Sequence, residues 1–317
     1  MRSLSRREIR EAQIAYALIG LGTIAWWIWM RLDPTARPYF FGDSSSTAFE
    51  NLFFVPDLVS AVLGSLATIL AVSKGYKWVS FSSAVTFGAQ GYACLVTFGI
   101  AAQFPRAYPG LCPMLLSTGV LAAFALRFSG IEVLWGPFRF QRAKPGRKSY
   151  CLQSLLQSAG MWIVFLGLLP GGVALVESQL GFNSYWFKLA WILPIALLVF
   201  VSAGTVGLVS GNTMAKQGEG TPLPSSCTNK LVVSGPYRYI RNPMAATGIT
   251  QGVAVGLAIG SPLAICIAAL GGIWWEVLVR PVEEAYLSEQ FGEEYEAYRA
   301  AVPCWWVRFS PYRASAK

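Results

Sequence analysis

The sequence predicts an all-α integral membrane protein with about eight transmembrane helices and a cytoplasmic C-terminal amphipathic helix. Three observations predict it. Of 317 residues, 54% are hydrophobic and only 13% charged, against roughly 25% charged in a soluble domain. Eight apolar stretches approach the ~20 residues that cross a bilayer, at about 12–30, 52–72, 78–103, 109–127, 152–176, 186–210, 244–260 and 262–280. With both termini in the cytoplasm, 21 of the 25 lysines and arginines fall on that side. Only Arg31, Arg37, Arg106 and Lys188 fall on the other. Cytoplasmic loops are expected to carry such an excess.

Taken in order, the first span is too long for a signal peptide and has no small-residue cleavage site, so it reads as a retained helix. Asp57 near the outer end of the second span, and Glu276 near the inner end of the eighth, are costly in lipid and therefore functional candidates. The basic loop at 127–150 contains GPFRFQR, residues 136–142, which echoes GPYRYIR at 235–241. A duplication would produce that echo, as would ordinary interfacial pairing of aromatics with arginine. The expected organisation is an N-terminal four-helix region over 1–130, a basic loop over 131–151, and a second transmembrane domain over 152–317.

There is no histidine. That excludes zinc proteases, Ser-His-Asp hydrolases and histidine-ligated haem or di-iron sites. The six cysteines are scattered, with no C-x-x-C pair, so they read as buried small side chains. Neither a metal nor a nucleic acid is expected as a partner.

The last hundred residues differ in character. Asn242 is placed to cap a helix whose first residue is Pro243. Gly248, Gly252, Gly256 and Gly260 recur every four residues and predict one smooth packing face. Ser261-Pro262 makes the far turn. The hairpin so formed returns Glu283 and Glu284 to the membrane face that carries Arg238 and Arg241. Cations and anions meeting at the mouth of a helix bundle suit a zwitterionic ligand. Adjacent helical positions point about 100° apart, so one glutamate can meet ligand while the other pairs with Arg280 or Arg241. Glu293, Glu294 and Glu296 read as a solvated face.

This segment resembles the isoprenylcysteine carboxyl methyltransferase and phospholipid methyltransferase superfamily. The resemblance is carried by Gly235 to Pro243, by Glu283-Glu284 with Leu287, by Phe291-Gly292 with Tyr295 and Tyr298, and by Val302-Pro303. GTPLP at 220–224 looks like the bacterial branch. Roughly residues 205–305 are covered, and residues 1–130 are not. The resemblance implies a membrane-embedded methyltransferase that uses S-adenosylmethionine and acts on a lipophilic acceptor. Its partners would be membrane lipids and a lipophilic or prenylated substrate, in a bacterial inner membrane or equivalent. The cofactor site would lie within 231–248 and 276–303. It would use Tyr237, Arg238, Arg241, Asn242, Pro243, Glu283 and Glu284, with Arg241 and Glu284 as the catalytic pair. Ala245, Glu276 and Cys304 stand where the family often has tyrosine, histidine and arginine, which leaves the acceptor open among a carboxylate, a lipid amine and a small thiol.

The chemistry is compatible. An arginine fork or helix N-terminal N–H groups suit the donor's carboxylate, and a glutamate suits its ammonium or ribose diol. Methyl transfer to a carboxylate needs no base, so the missing histidine is tolerable. Alternatives are a sterol-reductase-like membrane enzyme and a non-catalytic transporter or assembly protein. The Glu-Glu-x-x-Leu and Phe-Gly-x-x-Tyr pattern favours methyl transfer, and the absence of a broken helix pair disfavours transport.

Overall fold

The structure, a computed structural model, describes residues 4–42, 47–130, 142–143, 150–182, 191–222 and 226–313. Among them every regular element is helical, with one isolated parallel bridge between Arg142 and Cys227. The GPFRFQR echo lies outside the described residues except for Arg142, as does the expected start of the sixth span at 186–190. Two units emerge, Met1–Ile131 with Val176–Tyr185, and Glu132–Leu175 with Trp186–Lys317.

In the first unit α1 runs Arg6–Leu32. Ser5 starts it through a capping box, because its hydroxyl accepts from the Glu8 amide while the Glu8 carboxylate accepts from the Ser5 amide at 2.7 Å. Helix α2 covers 47–74, as Thr47–Asp57 and Gly64–Lys74 around a π-helical stretch at Leu58–Leu63. Pro56, just before that stretch, cannot donate to the ladder, and an extra residue per turn relieves the crowding. Helices α3 (Val79–Gln103) and α4 (Tyr108–Phe128) complete the group. Side chains tie it together: Gln13 donates to Ser73 at 2.8 Å, Tyr16 and Ser83 meet at 2.5 Å, and Gln90 donates to Ser117 at 2.9 Å. Where lipid offers no partner, polar groups must find one inside the protein.

Helix α5 (Tyr150–Gln179) also carries a π-helical stretch, at Ile163–Leu168, and from Val176 it belongs to the first unit. The second unit adds α6 (Ile192–Gln217), α7 (Pro243–Ile259) and α8 (Pro262–Trp274). A π-helical turn, Trp275–Val279, joins α8 to the tail helix α9, Arg280–Ala301. Among the described residues seven helices are long and apolar enough to cross a membrane, the last of them counted continuously over Pro262–Ala301, and α7 is a shorter apolar eighth of 17 residues. The expected count of about eight holds. Helix α6 extends past the expected end at 210 because nothing in GNTMAKQ stops it before Gly218.

The glycine run is not the single face expected of it. A Cβ on Gly252 or Gly256 would meet Ala268 or Ile265 of α8, while one on Gly248 would meet nothing within 4 Å. Gly260 instead ends the helix in a left-handed conformation, φ 70°, which glycine adopts without strain. The close approach to α6 comes from the other side. There Gly204, Gly207 and Gly211 admit Gln251, Thr247 and Met244 of α7.

Helix α9 is amphipathic as expected. Tyr295 and Tyr298 are buried, Leu287 and Phe291 pack beside them, and Glu293, Glu294 and Glu296 are exposed. It also bends, because Gly292 takes φ 54° and ψ −131°, outside the helical range.

Candidate active site

The loop that opens α7 begins with a 3-10 turn, Gly235–Arg238. Gly235 enters it at φ +56°, and Pro236 supplies the fixed φ of its first positions. This turn buries Tyr237, whose backbone oxygen accepts from the Tyr298 hydroxyl at 2.7 Å. The Tyr237 hydroxyl itself has no hydrogen-bond partner among the described residues. Burial raises its pKa, and the nearby Tyr298 and Glu283 raise it further. An orphaned buried hydroxyl carries a cost, so it marks a place where something else could bind.

Arg241 is buried and held from several directions. Its backbone amide donates to Pro303 O at 3.0 Å, and Nε donates to Val302 O at 2.8 Å. Nη1 meets Glu284 Oε1 at 2.7 Å and reaches Tyr295 at 3.5 Å. Burial alone would lower its pKa, yet Glu284 holds the guanidinium above its ordinary value. No hydrogen bond from Nη2 to a described residue is present. The other Glu284 oxygen pairs with Arg280 Nη1 at 3.0 Å. Arg280 Nε in turn meets Glu276 Oε2 at 2.7 Å, and Trp305 Nε1 donates to that same oxygen at 2.7 Å. The result is a relay, Arg241–Glu284–Arg280–Glu276–Trp305. Charges can sit here largely out of water because each is paired.

Of the residues singled out in the sequence, the structure brings Arg241 and Glu284 into direct contact. Glu283 lies next to them with no ion pair or hydrogen bond among the described residues. Its nearness to Tyr237 is registered by its effect on that phenol. Arg238 faces elsewhere, donating from Nε to Tyr312 O at 3.1 Å. Pro243 is the first residue of α7, as expected, and Asn242 holds the cap position. The Asn242 side chain does not cap, however. Its Nδ2 donates to Cys304 Sγ at 3.3 Å, while its oxygen, the atom that would accept from the helix N–H groups, makes no cap hydrogen bond. Burial pushes the Cys304 thiol's pKa up.

Glu276, flagged as an acid inside a span, proves to be the acceptor of Arg280 and Trp305. Asp57 is likewise satisfied, by Trp27 Nε1 at 3.0 Å. Sequence reasoning missed Trp305, since no spacing rule links it to a residue 29 positions earlier. It also missed Glu177, a buried acid that accepts from the Tyr108 hydroxyl. An acid just beyond the expected end of a span was the available signal.

A family model for phospholipid methyltransferases matches residues 195–294. Residues 195–294 are therefore similar to a phospholipid methyltransferase domain. The match takes in nearly all of α6, the GPYRYIRN loop, the α7–α8 hairpin and the glutamate pair, and the matched family belongs to the isoprenylcysteine carboxyl methyltransferase and phospholipid methyltransferase superfamily. Searches of curated proteins and of solved structures find no match. The match to that family and the many apolar helices together suggest a membrane methyltransferase.

Proposed function

We propose that the protein is an S-adenosylmethionine-dependent methyltransferase acting on a lipophilic acceptor, with the donor held by the GPYRYIRN loop and the start of α9. One observation carries this reading. Beside an Arg241–Glu284 pair that neutralises itself, Glu283 makes no ion pair or hydrogen bond with another described residue, and the buried Tyr237 hydroxyl finds no partner among them. The donor set fits. Glu283 suits an ammonium or a ribose diol, and Tyr237 offers one further hydrogen bond. The first N–H groups of α7, after Pro243, are free to meet a carboxylate, and Arg241 adds its Nη2 donors beside them.

When bound, the donor supplies a methyl group on a sulfonium, already activated for in-line displacement. The chain's own work is to align donor and acceptor and to exclude water. Glu284 acts by fixing Arg241: its carboxylate and Val302 O set the guanidinium plane, so that the remaining edge points one way. Asn242 and Cys304 fix the mouth of α7. The acceptor would enter from the bilayer, and a carboxylate, a lipid amine and a small thiol remain the candidate classes. In this reading residues 152–317 hold the machinery and 1–130 stand apart from it. Both termini face the cytoplasm, which reporter fusions after residues 75, 145, 225 and 317 should all report.

The test is calorimetric titration of the purified protein in detergent with S-adenosylmethionine, S-adenosylhomocysteine and NADPH. Binding of the adenosyl ligands is expected, followed by isotope-labelled methyl transfer to extracted lipids. Heat from NADPH with none from either adenosyl ligand would falsify the reading.

A further inference from the structure

The chain beyond α9 is not a loose end. After the bend at Gly292 it runs back along the GPYRYIRN loop, where Arg308 N donates to Tyr239 O at 3.0 Å and Tyr312 N donates to Arg238 O at 2.9 Å. Trp305 fixes its depth. The indole donates to Glu276 and packs edge-on against Trp275, with ring centroids 5.2 Å apart. Trp275 and Glu276 form the first residues of the π-helical turn that ends the apolar span begun at Pro262. The returning segment therefore lies level with the end of a membrane-crossing helix.

At that level it exposes what a soluble surface avoids. Trp306 is 80% exposed and Val307 65%, and Phe309 is fully exposed. Trp274 and Tyr239 present partly exposed rings nearby in the fold. Arg308 stands between Val307 and Phe309, and Arg313 is exposed four residues further on. Aromatic rings interleaved with arginine suit the boundary between lipid headgroups and acyl chains, and the charge suits an anionic leaflet.

We propose that Trp306, Val307 and Phe309 form an interfacial anchor that enters the bilayer the protein spans, with Arg308 and Arg313 favouring anionic headgroups. The occupant of this surface is lipid, and not a second copy of the chain, because the exposed rings continue the surface of a membrane-crossing helix at the depth of its end. The anchor ties the loop carrying Arg238 and Arg241 to the membrane surface, through the backbone bonds at Tyr239 and Arg238. It stands independently of the methyltransferase reading, and these residues lie beyond the matched segment at 195–294.

The experiment uses the full chain in nanodiscs of phosphatidylcholine with phosphatidylglycerol. Phe309→p-benzoylphenylalanine places a photocrosslinker at a position with no packing to lose. Arg299→p-benzoylphenylalanine, on the exposed face of α9, is the control. After irradiation, mass spectrometry should show lipid adducts from position 309 at a yield several-fold above that from 299. A crosslinked pair of chains from position 309, or a lipid yield no higher than the control, would overturn the proposal.

Discussion

The two units solve one problem in different ways. In the first, polar groups inside apolar helices are closed off pair by pair: Trp27 with Asp57, Tyr108 with Glu177, Tyr16 with Ser83, Arg127 with Glu8. Asp57, Glu177 and Glu8 each accept from a donor on another helix, and the pairing welds helices together. In the second unit the charges are shared. Glu284 serves two arginines, Arg280 serves two glutamates, and Glu276 also takes the Trp305 indole. Sharing saturates Glu284 and releases its neighbour Glu283. The lesson is that a charge in a membrane protein is not by itself a site. A site needs polar groups left over after the structural pairing is complete; among the described residues the first unit leaves the Ser65 hydroxyl, while the second leaves the Tyr237 hydroxyl within the motif loop itself.

This contrast can be broken experimentally. The largest effect should come from Glu284→Ala, which leaves Arg241 and Arg280 facing each other in a buried setting. Loss of about 3–5 kcal/mol is expected, the scale for removing one partner of a buried pair, read as a lowered Tm in detergent. An unchanged Tm would mean the relay contributes nothing to folding.

Glu283→Gln should behave in the opposite way. Stability should hold, while affinity for S-adenosylhomocysteine falls by about 1.5–3 kcal/mol, the worth of a charged hydrogen bond. If stability falls instead, with affinity intact, then Glu283 is structural and the distinction between the two glutamates fails.

In the first unit, Trp27→Phe removes the donor to Asp57 and should lower stability by about 1–3 kcal/mol, the cost of leaving one buried group unsatisfied. Adenosyl-ligand affinity should not change. A loss of affinity would show that the first unit contributes to the site after all.

The smallest effect tests the glycine run. Gly248→Ala meets open space and should raise stability by about 0.5–1 kcal/mol through lower chain entropy. The same change at Gly256 would press on the Ile265 backbone nitrogen at 2.9 Å and should lower the Tm.

Much of this was legible in the sequence, because membrane crossing is written in composition. Hydrophobic length placed most helix ends to within a few residues, as at Pro243–Ile259 against an expected 244–260, while α1 starts and α6 ends well outside the apolar run. Turn chemistry also reads locally: Ser261-Pro262 must stop one helix and start another, and the structure shows Ser261 capping with its hydroxyl. The motif residues, too, could be listed in order. Their division of labour could not be read. Glu283 and Glu284 are identical neighbours in sequence, and only the three-dimensional position of Arg241, Arg280 and Trp305 decides which is consumed by pairing. Asn242 looks like a cap, yet its side chain makes no cap hydrogen bond and its Nδ2 instead donates to Cys304, 62 residues later. Local propensity acts over one turn of helix and is therefore visible in a string of letters. Pairing of charges acts over a few ångströms between segments far apart in the chain, and only tertiary structure sets those distances.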